Sequence, residues 1–162
     1  MGARRETPIG WVIAPLLIGP IVPSLVILYL ELWVARHPLG TALANTATMQ
    51  WGDNGSGLLL IIGLGMMPFI ALAAIAAAAG RRMHRTRVAC LTIGGLLGIV
   101  VLMAWGHYAV WAPLYGIGEL SSTASIAFLF IPFYALGSML LGVLAGWLVS
   151  RLPLWRPGAV PR

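Results

Sequence analysis

Two ionisable side chains lie inside long apolar runs, and they are the first candidates for chemistry. Glu31 falls in the run from Ile9 to Ala35, and His107 in the run from Val88 to Trp111. A charge held in hydrocarbon is costly unless it is paired or hydrated, so such residues mark proton, ion or ligand sites by default. Glu31 stands seven residues before Pro38, and His107 six before Pro113. At the α-helical rise, each lies about 10 Å inside the end of its run. Equal depth lets the two meet if the first and third runs are neighbours. A carboxylate beside an imidazole could then exchange protons or bind a ligand. The structural alternative puts Glu31 at headgroup depth, hydrated or paired with Arg36, and makes His107 an interfacial aromatic with a polar edge.

The segment between the third and fourth runs adds Glu119, Ser122 and Thr123. The candidate polar site is therefore Glu31, His107, Glu119, Ser122 and Thr123, under an aromatic rim of Trp33, Trp105, Tyr108 and Trp111. Ser122 and Thr123 can equally cap the helix that follows, since hydroxyls at a helix start accept from its free amides. Glu31, His37, His107 and Glu119 are zinc-compatible types, yet no two of them are spaced i, i+3 or i, i+4 on one helix. No metal is expected. A bis-histidine haem is not expected either, because only His107 lies within a run. Nucleophile-elbow, P-loop, H-E-x-x-H and C-x-x-C patterns are absent from the sequence, so no catalytic residue and no cofactor is assigned. The single Cys90 reads as a small packing residue and excludes an internal disulfide.

The elements that must position these residues follow from composition. The chain has 162 residues, 60% hydrophobic and only 9% charged, with a mean hydropathy of +0.94. A soluble domain carries about 25% charged residues. Too few polar groups are present here to cover a water-facing surface. The expected fold is all-α: a single domain over 1–162, a polytopic four-helix membrane bundle. The spans are placed at about 9–35, 58–79, 88–111 and 122–149. Pro15, Pro20 and Pro23 predict a first span that is kinked or partly broken in its inner half. Thr41–Trp51 reads as a short, weakly amphipathic interfacial helix, and Asp53–Gly57 as a turn.

Small residues recur every fourth position in the last two spans, as Cys90, Gly94 and Gly98, then Ser138, Gly142, Gly146 and Ser150. Such stripes let helix backbones approach closely, either within the chain or between copies. Gly94, Gly98, Ser138, Gly142 and Gly146 are the expected packing positions.

Arginine sets the orientation. Arg81, Arg82, Arg85 and Arg87 form a hinge between the second and third spans, and nine of the ten arginines lie on that side of the spans. The bias predicts a hinge and both termini in the cytoplasm. A net charge of +6 could suggest nucleic acid, but its juxtamembrane placement argues for anionic lipid headgroups instead, held by Arg81, Arg82, Arg85 and Arg87. Lysine is absent and alanine and glycine abound, which suits a GC-rich bacterial genome and an inner-membrane location. The functional expectation is an accessory or self-associating membrane module with lipid and a protein partner or a second copy as its contacts. The alternatives are a small permease or channel using the outer Glu/His site, and a membrane enzyme acting on lipid or quinone.

Overall fold

The structure is a computed structural model that describes residues 9–51, 55–117 and 124–152, with backbone alone at 50, 51, 55–62, 124, 125 and 127. The described residues form helices joined by short turns, without a strand. Four helices are long and apolar enough to cross a membrane: Gly10–Val34, Gly63–Gly80, Arg85–Tyr115 and Phe128–Val149.

The first of these is built from α1 (Gly10–Ile18), α2 (Ile21–Tyr29) and one wide π-helical turn, Leu30–Val34. Pro20 and Pro23 supply no amide to the carbonyls of Leu16 and Gly19, so the hydrogen-bond ladder lapses there. The path does not break. Gly19 (φ −48°, ψ −56°) and Pro20 (φ −71°, ψ −17°) keep right-handed helical angles. A Cβ at Gly19 would meet Met66 and Phe69 of the next span, so its absence brings the weakened segment close to that helix.

Helix α3 (Leu39–Trp51) follows a reversal at Arg36, whose φ of 57° is left-handed. Its buried face is small and polar, with Ala42 and Thr46, whereas Leu39, Leu43 and Met49 are exposed. Helix α4 (Gly55–Gly80) already starts at Gly55, so the turn read at Asp53–Gly57 ends earlier than its sequence suggested. A tight turn over Arg81–His84 joins α4 to α5 (Arg85–Trp111), and the His84 ring accepts from the Thr86 amide as its cap. A 3₁₀ turn (Ala112–Tyr115) ends on Gly116 in the left-handed region (φ 80°). Helix α6 (Ala124–Val149) completes the chain's described helices.

The first span packs on α4 and α5, α6 packs on the same two, and among the described residues the backbones of the first span and α6 do not approach each other. The core lies between them at Val22, Phe69, Leu72, Ile99, Met103, Ile131, Ala135 and Met139. Helices α5 and α6 make the closest pair. A Cβ on Gly94 would strike the Gly142 carbonyl oxygen, and one on Gly142 the Gly94 carbonyl oxygen. Gly98 stands in the same relation to the Ser138 carbonyl, and Gly146 to that of Cys90. The Ser138 hydroxyl adds a 2.9 Å hydrogen bond to the Gly98 carbonyl. The two small-residue stripes therefore face each other within one chain. Dispersion summed along two touching backbones is the attraction that such contact supplies.

Candidate functional site

The π turn places Glu31. The Ala35 amide donates to the Leu30 carbonyl at 3.0 Å, one residue further back than in an α-helix. Such single wide turns recur at functional positions, because the extra residue redirects the side chains around it. Here it buries two successive residues, Leu30 at 0% and Glu31 at 4% exposure. The left-handed Arg36 then returns the chain, and the His37 amide bonds the Glu31 carbonyl at 3.0 Å.

Three donors converge on the Glu31 carboxylate. His37 Nδ1 lies 2.7 Å from Oε2, and Asn45 Nδ2 of α3 donates to the same oxygen at 2.8 Å. The Tyr115 hydroxyl, on the 3₁₀ turn after α5, donates to Oε1 at 2.6 Å. An ionised carboxylate only accepts, so with Glu31 charged His37 Nδ1 is the donor of this bond. The His37 side chain is 44% exposed. Tyr115, Glu31 and His37 thus form a continuous hydrogen-bonded chain from the bundle end to its surface. Tyr115 also reaches Met49 of α3 at 3.5 Å. Glu31 ties the end of the first span, the return loop, α3 and the end of α5 into one unit.

His107 is elsewhere. Its Nδ1 bonds the Met103 carbonyl of its own helix at 2.7 Å. Its ring lies tilted against Trp111 (centroids 4.9 Å apart, planes at 53°) and meets Phe128 of α6 edge-on (5.8 Å). Ala104, Tyr108 and Trp111 of α5, with Ala112 and Tyr115 of the 3₁₀ turn, pack toward α2 and the π turn. His107 turns toward α6, and Met103 joins the core shared by the first span, α4 and α6. The first and third spans are neighbours, yet Glu31 bonds His37, Asn45 and Tyr115 while His107 bonds the Met103 carbonyl, so no Glu31–His107 hydrogen bond is formed. An acid–base or proton-exchange pair of these two is accordingly not assembled.

The aromatic rim divides likewise. Trp33 and Trp105 point outward, at 72% and 71% exposure, whereas Trp111 packs with His107 and Tyr108 stands 6.5 Å from Tyr29. Glu119, Ser122 and Thr123 lie outside the described residues. Among the described residues, Glu31 and His37 are joined by no third His, Cys, Asp or Glu that could complete a metal cage. Arg81, Arg82, Arg85 and Arg87 are all exposed at the opposite end of the bundle.

The sequence marks His37 only as a metal-compatible type and does not single out Tyr115 or Asn45. The available signal was a histidine and a proline directly after the span that carries the glutamate. Comparison with protein-family models, with curated proteins and with solved structures gave no match.

Proposed function

We propose that the chain is a four-span protein of a bacterial inner membrane, with the Arg81–Arg87 hinge and both termini in the cytoplasm. In this reading it acts as a helix-packing module: an accessory subunit, or a bundle that associates with its own copies. One observation carries the reading. The buried carboxylate in the first span is engaged by three donors of its own chain, so its role is to fasten α3 across the bundle end. The surface supports it as well. Large apolar side chains are exposed along every span, such as Leu17, Ile70, Val101 and Leu141. A water-facing monomer does not carry so much apolar surface.

A second reading has its own support in the Tyr115–Glu31–His37 hydrogen-bonded chain. A relay of titratable groups ending on an exposed imidazole is what outer-surface proton exchange in a small permease would use. The two readings part in one preparation. Extraction in mild detergent should give a particle larger than one chain, an oligomer or a fixed-ratio complex, and vesicles holding it should show no proton flux. A strictly monomeric particle would contradict the packing reading. A flux abolished by Glu31→Gln would establish the second.

A further inference from the structure

At the hinge end, a groove of about 360 Å³ opens between the start of α1 and the start of α5, lined by Ile9, Gly10, Trp11, Ala14 and Arg85. We propose that it holds one anionic phospholipid, with the phosphate on Arg85 and the upper acyl chain along Ile9, Trp11 and Ala14. The inference rests on the membrane reading above and names a lipid class and a place for it.

Charge complementarity selects the occupant. One end of the groove is a guanidinium and its walls are apolar, which is the pattern of a charged headgroup joined to a chain. The guanidiniums of Arg81, Arg82, Arg85 and Arg87 are exposed and have no acidic partner among the described residues, whose one ion pair is Glu31 with His37. An unpaired cationic cluster beside apolar surface favours an anionic amphiphile over a zwitterionic one. The site is also particular. Arg85 lines the groove and the other three arginines do not, so the attraction is not shared evenly over the hinge. Trp11, half-buried at the same level, is the residue type that settles at a headgroup boundary. Gly10 leaves the groove open, since a Cβ there would meet nothing within 4 Å.

The test uses the full chain in mild detergent, with phosphatidylglycerol or phosphatidylcholine of the same acyl chains added. Bound lipid is counted by native mass spectrometry. One phosphatidylglycerol per chain should be retained in preference to phosphatidylcholine. Arg85→Gln should reduce that retention about fivefold, the effect of one near-surface arginine. Gly10→Leu, which adds a side chain to the groove lining at a position where a Cβ meets nothing within 4 Å, should reduce it as well. Arg36→Gln, at the other end of the bundle, should leave it nearly unchanged, and Arg81→Gln should reduce it less than Arg85→Gln does. Inorganic phosphate should not compete, because it has no chain to bury. Equal retention of both lipids would overturn the proposal, as would equal losses from Arg81→Gln and Arg85→Gln, or full competition by phosphate. The membrane reading fails differently, through a chain that stays dispersed without detergent.

Discussion

Replacing Gly142 by leucine should prevent α5 and α6 from packing, with the largest loss of stability of any single change considered. The reason is geometric. At Gly142 even a Cβ would meet the carbonyl oxygen of Gly94, and the neighbouring Gly94 and Gly95 backbone stands close behind it. A flexible side chain can move aside, but a helical carbonyl can move only with its helix. Pushing the helices apart forfeits the stacked contacts at Gly94, Gly98, Ser138 and Gly146 together, along with the Ser138 hydrogen bond. Ordinary overpacking costs about 1–3 kcal/mol. This change acts on a whole interface and should exceed about 4 kcal/mol, the range reserved for such cases. Gly142→Ala should cost less but still lower the thermal midpoint. Gly137→Ala is the matched control on the same helix. Its Cβ would meet nothing within 4 Å, so stability should hold or rise slightly with helix propensity. Thermal unfolding in one detergent reads all three, and equal midpoints for Gly142→Leu and Gly137→Ala would contradict the α5–α6 contact described.

The second large effect is expected at Glu31. Glu31→Ala removes the acceptor for Tyr115, Asn45 and His37 at once. His37 is partly exposed and can turn to water, so most of the cost comes from the other two donors. Hydrogen bonds to a charged group contribute about 1.5–3 kcal/mol each, and stranding their partners adds desolvation. A total of about 3 kcal/mol is expected, together with release of α3 from the bundle end. Tyr115→Phe should cost about 1.5 kcal/mol alone and little further in the Glu31→Ala background, because the two changes remove the same bond. Amide hydrogen exchange across α3 checks the local part. Protection of α3 should collapse in Glu31→Ala while α5 and α6 retain theirs. Unchanged protection would mean that α3 is held by its apolar contacts and not by the carboxylate.

The helices were legible because long apolar runs are a coarse code. Runs such as Val88–Trp111 are long enough to cross, and arginines such as Arg81 and Arg82 cannot stay within them. Glycine stripes were legible for a similar reason, since Gly94 and Gly142 repeat at a helical period. The candidate site was legible only in part. Counting residues back from a proline gives depth, which grows linearly along a helix. Azimuth advances by about 100° per residue, so a small error in register changes the neighbour a side chain meets. The wide turn at Leu30–Val34 adds such a shift, and no residue type in it announces one. His37 lies six residues from Glu31 across a left-handed Arg36, a spacing that matches no helical pattern. Tyr115 lies 84 residues away and reaches the carboxylate only because α2 packs on α5. That neighbour relation is tertiary, and local propensity does not encode it. The prolines of the first span show the converse. Pro20 and Pro23 removed hydrogen bonds as expected, yet packing on Met66 and Phe69 accompanies a path that stays helical.

The account depends on four crossings with the arginine hinge inside and α3 outside. Cysteine accessibility tests it most directly, in sealed spheroplasts with Cys90→Ser as background and a membrane-impermeant maleimide as the probe. Thr48 on the exposed side of α3 and Arg82 in the hinge are the reporter positions. Thr48→Cys should react in intact spheroplasts, and Arg82→Cys only after the membrane is opened. Labelling of Arg82→Cys from outside, or equal labelling of both before permeabilisation, would contradict the arrangement.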